Sequence, residues 1–178
     1  MKKTILLAAI ALTSISTFAQ KKTTTSATVS FDATTPGDAL PLADNKTVIA
    51  AIDTKTGTIT FEAQVKSFSF GNPMMQEHFN SPKWLDSEKY PTTTFKGKIT
   101  NLSEVNFSKD GTYNVKVTGT LNLHGITKDI TSDATIEVKA KAINATAAFT
   151  FKLADYKVGN AGGKIADEPK ITVAASFK

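Results

Sequence analysis

Between Tyr113 and Val138 two long alternating runs meet at a short polar junction, and no other feature of the chain restricts its fold as strongly. In the first run Tyr113, Val115, Val117, Gly119, Leu121 and Leu123 hold odd positions, with Asn114, Lys116, Thr118, Thr120 and Asn122 between them. Successive side chains of an extended chain point to opposite faces, so this period of two predicts a half-buried β-strand. In the second run the apolar residues move to even positions, Ile130, Ala134, Ile136, Val138 and Ala140, while Thr131, Asp133, Thr135, Glu137 and Lys139 face the other way. A short reversal at His124-Gly125 that keeps one face apolar on both arms makes the pair an antiparallel hairpin. Glycine supplies the backbone freedom that such a reversal needs, which assigns His124-Gly125 a structural role. Strands this long suit a barrel better than a small sandwich.

The rest of the chain extends the pattern. After a Lys/Thr/Ser leader over 21–26 that is expected to fray, Thr25, Ala27, Val29 and Phe31 alternate in a first strand that Pro36-Gly37-Asp38 ends by turn chemistry. A second strand is expected over Val48–Ile52. A third starts with Ile59, Phe61, Ala63 and Val65, but Phe68 and Phe70 then fall on the opposite face, which requires a bulge or a bend near Lys66-Ser67. Thr93, Phe95, Gly97 and Ile99 mark another strand, as do Ala145, Ala147, Phe149, Phe151 and Leu153, and finally Ile171, Val173, Ala175 and Phe177. The expected fold is all-β, an antiparallel barrel of about eight strands with a short helical insert, a strand number that leaves a narrow interior. Pro73–Asn80 carries the helix, with Pro at its first turn, and Ser81–Leu85 is expected to add a second helical turn. The insert gathers Met74, Met75, Phe79, Trp84 and Leu85, a plug or lid, or a cap that merely seals the core. Small residues on the apolar faces, Gly97, Gly119, Ala134, Ala145, Ala147 and Ala175, leave a tunnel or fit the taper of a filled barrel.

Met1-Lys2-Lys3 followed by the apolar run Thr4–Ile15 is too short to span a bilayer, which takes ~20 residues, and small residues at Thr17-Phe18-Ala19 suit a signal peptidase. The expectation is a signal peptide over 1–19 and a β-barrel domain over 20–178, placed in the periplasm or secreted. The chain has no Cys, so neither a lipid attachment point nor a disulfide is available and no stable membrane anchor is expected. All 21 basic residues are Lys, and loss of Lys2 and Lys3 takes the formal charge from +5 to +3. Without Arg there is no bidentate fork for phosphate or guanine, so nucleic acid is not an expected partner.

Catalytic and metal chemistry find little support. His78 and His124 are too few for a three-histidine zinc site, and there is no Gly-x-Ser-x-Gly elbow or Cys-His pair. Gly159-Asn160-Ala161-Gly162-Gly163-Lys164 lacks phosphate-loop spacing, with Ile165 where Ser or Thr is required. No metal, cofactor or catalytic residue is therefore expected, and the protein is not expected to be an enzyme. Asp155–Pro169 reads as a long loop, either mobile or placed over a mouth.

Two segments resemble a known family. Glu77-His78-Phe79 leading to Ser87-Glu88-Lys89-Tyr90-Pro91-Thr92-Thr93-Thr94-Phe95-Lys96, and Gly119-Thr120-Leu121-Asn122-Leu123-His124-Gly125-Ile126-Thr127-Lys128, are similar to motifs of the YceI-like family. Leu153-Ala154-Asp155-Tyr156-Lys157-Val158 approximates a third family segment without its Arg. The resemblance implies a secreted bacterial protein with a lipocalin-like barrel that binds polyisoprenoid or similar lipids, as carrier or store. On that reading the ligand, an isoprenoid or quinone-like molecule, is expected against Phe61, Phe68, Phe70, Met74, Met75, Phe79, Trp84, Leu85, Phe95, Val117, Leu121, Phe149 and Phe151. The reading leaves room for a homodimer. The rival is a filled barrel that works through its outer surface as an interaction, adhesion or inhibitory module.

Overall fold

The computed structural model describes residues 20–39, 41–159 and 165–178. In order the chain forms β1 (Lys21–Asp32), β2 (Leu42–Asp53), β3 (Thr58–Gln64), β4 (Ser69–Phe70), α1 (Pro73–Asn80), β5 (Thr92–Ile99), β6 (Gly111–Leu123), β7 (Ile126–Lys139), β8 (Ala142–Thr150) and β9 (Lys170–Phe177). Neighbours pair in the order β1-β9-β8-β7-β6-β5-β3-β2, and pairing of β1 with β2 closes the ring. The two-residue β4 adds to the edge of β2 at Ala43↔Phe70. The fold is thus the eight-stranded antiparallel barrel with one short helix that the alternation implies. The segment 1–19, expected to be a signal peptide, Leu40 and residues 160–164 of the glycine-rich loop lie outside the described residues.

The central hairpin pairs β6 with β7 from Gly111↔Val138 to Leu123↔Ile126. Both turn residues are left-handed, with φ 52° at His124 and 73° at Gly125. A two-residue turn of that kind matches the right-handed twist of the strands it joins.

Three local expectations change. Lys21–Ser26 does not fray: Lys21↔Asp53 to Thr24↔Ala50 extend the β1–β2 ladder, with irregular register on either side of Ala27. A partner strand supplies what the polar sequence lacks, and β2 likewise begins early, at Leu42, where 42–45 pair with the end of β1 from Asp32↔Leu42 to Val29↔Asn45. The face inversion after Val65 is a 3-10 turn, Val65–Ser67, and not a bulge. Ser81–Leu85 contains turns and no helix.

The two ends of the barrel differ. At one end the connections are the turn at 54–57, the loop at 100–110 and Ala140-Lys141, over which Ile52, Ile99, Ile136, Ile143 and Phe177 are buried to 1% exposure or less. Leu102, Val105 and Phe107 pack against that plug from the loop between β5 and β6. The described parts of the longer connections, 33–39, 65–91, 151–159 and 165–169, gather at the opposite end beside the His124-Gly125 turn.

Midway between the ends, Gly97 lies opposite Gly119 on β5 and β6. A Cβ on Gly119 would come within 2.4 Å of both Gly97 Cα and the Lys96 carbonyl oxygen, and 2.8 Å from the Phe95 ring. The glycine pair therefore lets the Phe95 ring lie close along the wall. We expect Gly119→Ala to lower the unfolding free energy by ~1–3 kcal/mol through overpacking, measured by urea denaturation. Gly37→Ala, with nothing within 4 Å of the added carbon, serves as the neutral control, and equal stability of the two variants would contradict this packing.

Candidate functional site

Between the two ends the side chains do not meet. The barrel encloses a cavity of about 150 Å³. No charged residue lines it, and the hydroxyls in its wall belong to Thr93, Thr94, Ser132 and Thr146. The Thr93 hydroxyl donates to the Asn122 carbonyl at 2.8 Å, so it is already satisfied. A wall of this kind offers water too few partners to hold it, and apolar cavities of such size stay dry and take apolar guests. The opening arises from the small inward residues: Ala134 pairs with Ala147 across β7 and β8, and Ala145 with Ala175 across β8 and β9.

Of the residues expected against a ligand, Phe61, Phe68, Phe79, Trp84, Leu85, Phe95, Val117, Leu121, Phe149 and Phe151 contribute to the cavity wall. Phe70, Met74 and Met75 do not. Met74 is 64% exposed on the outer side of α1, and Phe70 packs behind Phe79 with ring centroids 4.9 Å apart. The wall also includes Val29, Val48, Ile59, Ile130, Ser132, Ala134, Ala147, Ile171 and Val173, which the sequence reading left out. Their signal was available, since each has the inward parity of its strand.

Phe79 organises the mouth. It is 4% exposed, and its ring centroid lies 5.5 Å from that of Phe31, 5.6 Å from Phe68 and 5.4 Å from Trp84. A helix of eight residues is marginal by itself. Asn72 caps it by accepting the backbone N–H groups of Met74 and Met75, Pro73 opens it, and Phe79 fastens it to the barrel. Phe79 thus both seals the end and faces the cavity, so the lid and the cap described above are one arrangement.

A second contact joins the other mouth segments. His124 Nδ1 lies 3.0 Å from the Tyr156 carbonyl oxygen, a hydrogen bond when that nitrogen carries the proton, and the His124 ring meets Tyr90 edge-on at 4.7 Å. A Cβ on Gly125 would lie 2.5 Å from the Tyr90 ring. The turn is therefore wedged between the end of the insert and the loop after β8, in keeping with its structural assignment. Burial, with a smaller effect of Asp155, pushes the Tyr156 hydroxyl up to about 12, so it stays protonated at ordinary pH. That hydroxyl has no hydrogen-bond partner among the described residues.

Among the described residues no three His, Asp or Glu gather as a metal site, and no helix is long and apolar enough to cross a membrane.

These features define a small closed barrel built around an apolar cavity under a helical lid. The chain belongs to the YceI-like family, whose domain model matches residues 8–177. No curated protein matches it. Among solved structures, a polyisoprenoid-binding domain from Saccharophagus degradans implicated in plant cell wall breakdown superimposes with a TM-score of 0.74 at 14% identity, covering 89% of this chain and 98% of that one. BcnA of Burkholderia cenocepacia gives 0.63 at 21% identity over 90% and 98% of the two chains. The YceI protein of Campylobacter jejuni gives 0.58 at 20% identity over 74% and 80%.

Phe79→Ala should cost ~3–5 kcal/mol in unfolding free energy, as removal of a buried aromatic hub does, whereas Met74→Ala should stay within ~0.5 kcal/mol as a surface change. Chemical denaturation of the two variants checks this. Similar losses would contradict the placement of α1.

Proposed function

We propose that this protein is an exported carrier or store for an elongated apolar molecule, an isoprenoid lipid or quinone-like compound, held inside the barrel without chemical change. The observation that carries this reading is the enclosed cavity with no charged residue in its wall. Transfer of an apolar chain from water into such a space gains ~0.8 kcal/mol per buried methylene, so affinity grows with chain length and the site selects long chains over short ones. The similarity to a domain described as polyisoprenoid binding supports the same class of ligand.

In this reading the chain of the ligand runs along Phe61, Phe95, Val117, Leu121, Phe149 and Phe151, and one end meets Phe68, Phe79, Trp84 and Leu85 beneath the lid. Phe70, Met74 and Met75 take part only when α1 moves. One chain encloses the whole site, so a homodimer is not required for binding. The basic, apolar start of the sequence supports passage to the periplasm or the exterior. A filled barrel acting through its surface would need side chains where the small residues of β7 and β8 leave space.

Titration with farnesol carrying an anthraniloyl fluorophore tests the reading. We expect saturable binding of one molecule per chain, and at least about tenfold weaker binding by Ala147→Phe, which fills the cavity. Unchanged affinity in a correctly folded Ala147→Phe variant would place the probe elsewhere and contradict the proposal.

A further inference from the structure

The barrel wall is interrupted at one place. The ladder between β7 and β8 runs from Lys139↔Ala142 to Ala134↔Ala147 and stops there, although β7 extends to Ile126 and β8 to Thr150. Continued in register, Thr131 would face Thr150 and Ile130 would face Phe151. On their other sides both strands stay paired, β7 with β6 to Ile126 and β8 with β9 to Thr150↔Lys170. The two half-strands therefore splay apart, leaving facing backbone groups without a ladder partner across the gap. The Ser132 hydroxyl donates to the adjacent Asp133 carbonyl oxygen at 2.8 Å and lies a long 3.4 Å from the Ala148 carbonyl oxygen across the gap. Closed barrels otherwise remove strand edges altogether.

This seam lies along the cavity. Ile130 and Ser132 on one lip, and Phe149 and Phe151 on the other, line the interior. A groove runs along the outside, and Ile130 and Phe151 line it too, so the wall between groove and cavity is one side chain thick. Tyr156 also lines the groove, 1% exposed, with its hydroxyl enclosed and unpartnered among the described residues. A buried donor without an acceptor is costly, and an oxygen atom of a guest would relieve it. The groove's charges are Lys128 and Lys152 against Asp129, Asp155 and Glu168, with Lys152 Nζ already 3.9 Å from Glu168. That balance gives no attraction to an anionic head group.

We propose that the seam between β7 and β8 is a lateral opening of the cavity, through which the uncharged polar end of a chain-like lipid emerges to hydrogen-bond the Tyr156 hydroxyl. The proposal rests on the carrier reading and adds to it the route and the chemistry of the ligand's end: an alcohol or carbonyl, not a phosphate.

The double variant Thr131→Cys and Thr150→Cys tests the route, because the chain has no other Cys and the bridge draws the lips together. Loaded with anthraniloyl farnesol and mixed with phosphatidylcholine vesicles, the oxidised form should release the probe about tenfold more slowly than the reduced form, and dithiothreitol should restore the rate. Ile130→Ala, which thins the wall, should release it about tenfold faster and needs no cross-link. Probe that binds normally but leaves at the same rate from oxidised, reduced and Ile130→Ala proteins would overturn the seam while sparing the carrier reading. Absence of binding by every form, the parent included, would overturn both.

For the hydroxyl, competition by farnesylacetone, which ends in a ketone, is compared with competition by squalene, which has no polar atom. Tyr156→Phe should weaken the ketone about tenfold and leave squalene unchanged. Equal effects on the two, or none, would overturn the assignment of Tyr156.

Discussion

An eight-stranded ring has a fixed girth, and here the side chains turned into its middle are too small to fill it. Everything else in the molecule follows from that mismatch. Where Ile52, Ile99, Ile136, Ile143 and Phe177 converge the interior is solid, and where Phe31, Phe68, Phe79 and Trp84 converge it is solid again. Between them Ala134, Ala145 and Ala147 hold the wall close to the backbone and leave a gap that water has little reason to enter. Without disulfides the ring is held by its ladders and by these two apolar plugs.

The plugs are built differently. The narrow end uses short turns and aliphatic residues that belong to the strands themselves. The wide end uses an inserted segment whose helix depends on Phe79 for its attachment, and a turn, His124-Gly125, that touches both Tyr90 and Tyr156. Openings are therefore expected at the wide end and along the incomplete β7–β8 ladder, where fewer backbone bonds must break than elsewhere around the ring.

Much of this is legible in the residues. Period-two alternation identified the barrel strands, and the two-residue junction His124-Gly125 located the hairpin turn, because parity and turn chemistry are local properties. The start of β1 was not legible, since Lys21–Ser26 has no apolar face and becomes a strand through its ladder with β2. Much of the cavity wall could be read from inward parity, as Phe61, Phe95 and Phe149 show. Parity does not extend to a helix of eight residues, and the orientation of α1 buries Phe79 while exposing Met74. Nor does an alternating pattern reveal where a ladder ends: β7 and β8 keep their alternation past Ala134 and Ala147 while ceasing to pair.

The central claim is that an apolar molecule fills the space the side chains leave. Gentle purification of the protein from the cells that make it, followed by organic extraction and mass spectrometry, tests this directly. The account predicts a long-chain neutral lipid recovered in near-stoichiometric amount, and depleted from the Ala147→Phe protein purified the same way. Recovery of no lipid from either protein, with the parent as folded as the variant, would contradict it.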